Sequence, residues 1–117
     1  MGLKLNVRKK CIIEYADTDW FGDVDMDAAN SFLIELCVRL TGVSPYSNCE
    51  DRRYGDSLEF NMESWNMMIE EMKSRNPNRI AFSTKDCKYD NGEMLRIMKE
   101  IKDNADPQQS YIYLDWF

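Results

Sequence analysis

The sequence predicts an α/β fold with a three-stranded, at least partly parallel sheet and three helices in the order β-α-α-β-α-β, spanning residues 1–117 as a single domain. Three observations support this prediction. Period-two alternation indicates a strand at each end of the chain. Apolar residues recur at helical spacing in three internal segments. The 117 residues, 44% hydrophobic and 31% charged, suit one domain with one core.

The N-terminal segment, residues 3–15, predicts the first strand. Its polar residues, among them Lys4, Asn6 and Arg8, alternate with an apolar row, and Lys9 interrupts that row where a bulge or a strand end would fall. One face of the strand is therefore expected to lie on the core. The apolar row consists of Leu3, Leu5, Val7, Cys11, Ile13 and Tyr15.

Three helices are expected, each with an apolar stripe that faces the core. The first spans Asp27–Thr41 and ends before Gly42, a residue type that suits the position after a helix. The second spans Met62–Arg75 with Asn61 as its cap, and the third spans about Glu93–Asp103. The three stripes are Phe32, Leu33, Leu36, Cys37 and Leu40; Met62, Trp65, Met68, Ile69 and Met72; and Met94, Ile97, Met98 and Ile101.

Two further strands complete the predicted sheet, a short one at Arg79–Thr84 and a terminal one at Tyr111–Phe117. The helix between them has the length of a right-handed crossover, so these strands are expected to be parallel. Residues 43–58 have the composition of a loop. The terminal strand is aromatic on both faces, which indicates either burial of both faces, the preferred interpretation, or one face exposed for contact. Met67 lies off the second stripe and is expected at the surface.

Charge and residue usage disfavour several function classes. The chain has 21 acidic and 15 basic residues, and its net charge of −6 disfavours binding to nucleic acid or to an anionic membrane and favours a basic protein partner. Histidine is absent, which removes the commonest general base. Glycine-rich loops that cradle phosphates or dinucleotides are also absent from the sequence. We therefore expect a binding protein rather than an enzyme, with no cofactor.

The four cysteines, at positions 11, 37, 49 and 87, are scattered and form no C-x-x-C pair. This pattern indicates reduced thiols rather than a zinc site or disulfides.

Apolar runs in the sequence are shorter than the ~18 residues that span a bilayer. A cytoplasmic protein that is a monomer or a weak dimer is the expectation.

An acidic loop between the first strand and the first helix is the most unusual feature. The window from Cys11 to Asn30 contains six carboxylates and no lysine or arginine. Such crowded charges repel one another, so a cation, the helix dipole or a basic partner must compensate them. A basic partner is favoured over a solvated helix-capping loop because two aromatic residues give the loop the composition of a binding hot spot. The predicted partner-binding residues are Asp17, Asp19, Trp20, Phe21, Asp23, Asp25 and Asp27.

Two known patterns overlap this loop. Asp17-x-Asp19-x-x-Gly22-x-Val24 resembles part of an EF-hand loop, but Ala28 replaces the bidentate last ligand, so no metal is expected. Residues 15–24 also resemble the strand-to-helix signature of hotdog-fold acyl-CoA thioesterases. This resemblance implies catalysis at Asp19 or its neighbour and several long antiparallel strands after the helix. The chain departs from the pattern, because a methionine-rich helix follows and the histidine often found after the glycine is absent.

In element order and charge the chain resembles small acidic bacterial toxin-immunity proteins of barstar-like layout, in which an acidic patch blocks a ribonuclease. The resemblance implies an inhibitor, or antitoxin, that binds and occludes the basic active site of a bacterial nuclease toxin without chemistry of its own. A phage-encoded inhibitor of a host defence nuclease predicts the same surface. The hotdog-like thioesterase remains the enzyme alternative, and a self-associating structural subunit is a third class.

Overall fold

The computed structural model describes residues 5–8, 15–17, 26–48, 57–83 and 88–116. Over these residues the elements follow the order ββαββαββαβ. The strands are β1 (Leu5–Arg8), β2 (Tyr15–Asp17), β3 (Tyr46–Asn48), β4 (Ser57–Asn61), β5 (Ile80–Ser83), β6 (Lys88–Asp90) and β7 (Tyr111–Trp116). The helices are α1 (Met26–Thr41), α2 (Met62–Ser74) and α3 (Asn91–Asn104).

The sheet arrangement differs from the prediction of one three-stranded, partly parallel sheet, which was wrong. The described strands form a five-stranded sheet in the order β2-β1-β7-β4-β3 and a separate hairpin of β5 with β6. Every strand pair in these residues is antiparallel. The predicted parallel crossover does not form, because β5 turns back onto β6 while β7 inserts between β1 and β4.

Two segments account for the error. The first is residues 43–58, expected to be a loop, which contain β3 and the first two residues of β4. The alternation of buried and less buried residues in β4 is the period-two pattern of a strand with one face on the core. The second is residues 3–15, expected to be one strand. There the structure has two short strands, β1 and β2, which pair antiparallel to each other.

The core lies between one face of the five-stranded sheet and the helices. Trp65 of α2 donates a hydrogen bond from its Nε1 to the carbonyl oxygen of Met98 in α3 at 3.1 Å, and its ring meets Phe60 of β4 edge to face at 5.0 Å. This contact joins two helices and the sheet. The buried sheet residues are Leu5, Val7, Leu58, Phe60, Ile112 and Leu114. The buried helical residues include Leu33, Leu36, Cys37, Trp65, Met68, Ile69, Met72, Met94, Ile97, Met98 and Ile101.

The helices themselves follow the sequence closely. Asn61 caps α2, with its side chain accepting a hydrogen bond from the backbone N–H of Glu63, as predicted. Asp90 caps α3, with its side chain accepting a hydrogen bond from the backbone N–H of Glu93 at 2.7 Å. Met67 is exposed, which confirms the expectation for the residue outside the apolar stripe.

Among the described residues, no helix combines the length and apolar character needed to cross a membrane.

The β5–β6 hairpin packs against α1 through aromatic rings. Phe82 of β5 lies 5.3 Å, centroid to centroid, from Phe32 of α1, and it stacks on Tyr89 of β6 at 4.9 Å. The hairpin is thus held against α1 by ring contacts and is not part of the five-stranded sheet. The end of α2 lies close by, because Arg75 lines one small cavity together with Arg39 of α1 and Ala81 of β5.

Candidate partner-binding groove

Most of the residues predicted from the acidic loop lie outside the described residues. These are Asp19, Trp20, Phe21, Asp23 and Asp25. Asp17 is the last residue of β2, where it pairs in register with Asn6, and Asp27 is the second residue of α1. The structure thus gives the backbone positions of two predicted residues, one at a sheet edge and one at a helix start.

The outer face of the five-stranded sheet carries tyrosines and carboxylates near its β3 edge. Glu59 of β4 lies between Tyr46 of β3 and Tyr113 of β7 in one transverse row, because each pair is directly opposite in register. Tyr111 precedes Tyr113 on the same face, with the two ring centroids 6.3 Å apart. The register therefore groups three tyrosines around one carboxylate.

We call the adjoining depression the tyrosine groove, a cavity of about 390 Å³ beside β3. Tyr46 is 59% exposed and Tyr111 is 42% exposed, so both rings are accessible from solvent. None of the described lining residues is a lysine or an arginine, whereas Glu59 and Glu63 are acidic. The lining consists of Cys37, Thr41, Val43, Ser44, Pro45, Tyr46, Glu59, Asn61, Glu63, Ser64 and Tyr111.

The end of α1 builds one wall of the groove. Gly42 has a φ of +76°, and its N–H donates to the carbonyl oxygen of Val38 at 2.8 Å, which closes the helix with a left-handed residue. The hydroxyl of Thr41 donates to the carbonyl oxygen of Cys37 at 2.7 Å and accepts from the N–H of Val43 at 3.1 Å. These bonds fix the turn that leads to Tyr46.

The junction of β4, α2 and β7 builds the other wall. The cap formed by Asn61 sets the first turn of α2 and with it the position of Glu63. The N–H of Met62 donates to the carbonyl oxygen of Ser110 at 2.8 Å, directly before Tyr111. Backbone hydrogen bonds in both walls therefore fix the segments that carry the aromatic and acidic side chains of the groove.

The chemistry available in the groove is recognition of a cation. Tyrosine faces attract lysine ammonium or arginine guanidinium groups, and a carboxylate beside them adds charge attraction. Cys37 is buried, and its Sγ lies 3.5 Å from the carbonyl oxygen of Val43 and 3.8 Å from the Thr41 hydroxyl. The described residues contain no group of three or more side chains suited to hold a metal ion.

The sequence interpretation missed this groove. Tyr46 and Glu59 fell in or next to the segment assigned to a loop, and the aromatic residues of the terminal strand were expected to be buried. In the structure Ile112 and Leu114 are buried, whereas Tyr111 is exposed. The short alternation in β4, residues 57–61, is the signal that could have identified the strand beneath the groove.

The chain was compared with protein-family models, curated proteins and solved structures, and none of the three comparisons gave a significant match.

Proposed function

We propose that this protein is a non-catalytic inhibitor of the immunity-protein type, which binds and occludes a basic surface on a partner protein. The favoured partner is the active site of a bacterial nuclease toxin, met in the cytoplasm. The observation that carries this proposal is the tyrosine groove, which combines exposed aromatic rings with acidic side chains and, among its described lining residues, no base. A phage-encoded inhibitor of a defence nuclease would use the same surface.

The aromatic part of the groove supplies contact area. Tyr46 and Tyr111 are large, have few rotatable bonds, and stand on strands, so binding costs them little conformational freedom. Truncation of such a tyrosine at the centre of an interface typically costs about 2 kcal/mol or more. A lysine or arginine of the partner, seated between the rings, would gain roughly 0.5–2 kcal/mol from each cation–π contact.

The acidic part supplies selectivity for a basic partner. Glu59 and Glu63 line the groove, and the whole chain has a net charge of −6. A surface of this sign speeds encounter with a basic active site and repels acidic competitors. A nuclease must hold phosphates with basic groups, so its active site has the complementary sign.

The acidic loop and the groove can belong to one interface. Asp17, at the start of the loop, shares a transverse row with Asn6, Asp115, Ser57 and Asn48, so the row runs across all five strands. Four strand spacings of about 4.8 Å give roughly 19 Å from β2 to β3. A partner footprint of about 800 Å², roughly 28 Å across, would cover both edges.

The thioesterase alternative receives less support from the fold. Its signature implies several long antiparallel strands, whereas the described strands have three to six residues and the helices have 16, 13 and 14. A methionine-rich helix, α2, also packs on the sheet where the hotdog pattern would continue as strand. These features favour binding over that enzyme class.

The test uses the nuclease domain of a toxin encoded beside this gene, with inhibition of nucleic-acid cleavage as the readout. The double variant Tyr46→Ala, Tyr111→Ala should weaken inhibition by about 30-fold or more, the equivalent of ~2 kcal/mol. Met67→Ala, another exposed apolar position, is the control and should inhibit like the wild-type protein. Equal inhibition by the tyrosine variant and the control would exclude the groove as the contact.

The charge contribution needs a second pair of variants. Glu59→Gln should slow association with the nuclease, and the effect should shrink as salt is raised, because steering charges are screened. Glu70→Gln removes the same charge from α2, where Glu70 pairs with Lys73 at 3.3 Å, and it should have a smaller effect.

Replacing Asp17, Asp19, Asp23 and Asp25 together by Asn tests the acidic loop. Full binding by that variant would remove the loop from the proposal.

A further inference from the structure

A second depression, the arginine cleft, brings three arginines together in this acidic protein. It has a volume of about 560 Å³ and is lined by Arg39, Arg75, Asn76, Arg79, Ile80 and Asn91. Cys37 and Thr41 of α1 line the tyrosine groove, and Arg39 lies about 200° around the helix from each of them. The arginine cleft therefore opens on the side of α1 away from the groove. We propose that it binds a phosphate-bearing small molecule of nucleotide size.

The arginines come from three elements whose backbone is fixed. Arg39 lies in the last turn of α1. Arg75 is the C-cap of α2, with its N–H donating to the carbonyl oxygen of Met72 at 3.2 Å. Arg79 follows in the next turn, with its N–H donating to the carbonyl oxygen of Asn76 at 3.1 Å. The cleft is thus a junction of α1, α2 and the start of β5, and not a feature of one helix.

The start of α3 is hydrogen-bonded to the turn that carries Arg79. Asn91 donates from its backbone N–H to the carbonyl oxygen of Arg79 at 2.8 Å and from Nδ2 to the carbonyl oxygen of Asn76 at 3.0 Å. Gly92 approaches Pro77 so closely that an added Cβ would lie 3.1 Å from the proline Cβ. This packing pre-organises the site, which reduces the ordering cost of binding.

The guanidinium groups in the cleft have donors to spare. Arg39 and Arg79 form no ion pair with any residue that the structure describes. Arg75 forms an ion pair with Glu71, with its Nε 3.5 Å from the Glu71 Oε1. Glu35, one turn before Arg39, lines a smaller neighbouring cavity together with Arg39 and Arg75, and it forms no ion pair with a residue that the structure describes. Among the described residues, Arg39 and Arg79 therefore lack a close counter-ion, whereas Arg75 has Glu71.

Phosphate is the anion that this arrangement suits. Each guanidinium presents paired donors that match two phosphate oxygens, and several together can hold a chain of phosphates. Ile80 is 53% exposed at the rim, which gives a sugar or a base an apolar contact. The cavity volume also falls within the roughly 300–1,000 Å³ of small-molecule sites. A concave site and a net charge of −6 favour a small ligand over a nucleic acid.

The experiment is calorimetric titration of the full chain with ATP, with inorganic tripolyphosphate and with inorganic phosphate, all at one ionic strength. We expect saturable binding of ATP and tripolyphosphate. Arg39→Gln and Arg79→Gln should each weaken it by about tenfold or more, since each removes charge-assisted hydrogen bonds. Arg96→Gln is the matched control, because Arg96 is an exposed arginine paired with Glu100 on α3 at 3.0 Å.

The ligands and variants separate the possible outcomes. Tighter binding of ATP than of tripolyphosphate would support a nucleotide, and equal binding would support the phosphates alone as the recognised group. Arg39→Lys keeps the charge but loses the paired donors, so it should bind more weakly than the wild-type protein while melting at the same temperature. The proposal fails if none of the three ligands saturates, if Arg96→Gln loses as much affinity, or if the chain binds only an acidic peptide or DNA.

Discussion

Trp65 gives the sharpest test of the core, because one side chain joins α2, α3 and the sheet. The substitution Trp65→Phe removes the hydrogen bond from Nε1 to the carbonyl oxygen of Met98, which contributes about 1 kcal/mol. It also leaves a void the size of one to two methyl groups, at about 1 kcal/mol each, in a site with no solvent exposure. Together these losses predict a destabilisation of roughly 2–3 kcal/mol.

Urea unfolding and thermal melting, both followed by circular dichroism, measure this loss. A chain of this length has an unfolding entropy of about 0.25 kcal/mol per kelvin, so a loss of about 2.5 kcal/mol lowers Tm by roughly 10 °C. Met67→Ala, an exposed position on the same helix, should change stability by less than about 0.5 kcal/mol. A Trp65→Phe protein as stable as that control would refute the hydrogen bond and the packing assigned to the indole ring.

Three further substitutions probe the backbone and face that carry the groove. Asn61→Ala should lower the free energy of unfolding in urea by about 1 kcal/mol, because it removes the side chain that caps the Glu63 N–H. Asn61→Asp should retain this hydrogen bond, so equal losses in the two variants would contradict the cap. Gly42→Ala should lower the free energy of unfolding by about 1 kcal/mol, because alanine is strained at a φ of +76° even though no atom would crowd its Cβ. Thermal melting measures this loss, and an unchanged Tm would contradict the left-handed conformation. Ser57→Ala should cost about 1 kcal/mol in urea unfolding by removing the 2.7 Å hydrogen bond to Asp115, and Ser57→Thr should retain most of it.

The two proposed binding surfaces have opposite chemistry and can be tested independently. The tyrosine groove offers rings and carboxylates to a basic partner, and the arginine cleft offers guanidinium groups to a phosphate-bearing ligand. They share no lining residue, and α1 separates them. Loss of inhibition in the tyrosine variant with intact ATP binding, or the reverse, would therefore assign each function to its own surface.

The helices could be predicted from the sequence because their evidence is local. The predicted helices Asp27–Thr41, Met62–Arg75 and Glu93–Asp103 nearly coincide with α1, α2 and α3. Apolar spacing, capping residues and the glycine after α1 all act within a few turns of the same helix. The buried stripes of α2 and α3 follow from the same periodicity.

The strands could be predicted only in part. The terminal strand was recognised because its alternation runs over six residues, whereas β4, with five residues next to a loop-like segment, was not. Parallel or antiparallel pairing is not a local property, since it depends on which edges meet when distant segments pack. The partly parallel sheet was inferred from a connection length alone, and the insertion of β7 between β1 and β4 overrode it.

The sequence by itself determined the acidity, the absence of histidine, the three helices and the apolar residues of the core. It also pointed to the acidic loop, whose role as a contact surface stays a prediction. Only the tertiary structure decided that Tyr46, Glu59 and Tyr113 share one row and that three arginines meet at one cleft. The reason is physical: a helix is specified by neighbours along the chain, whereas these surfaces combine segments that are distant in the chain and meet only in the folded protein.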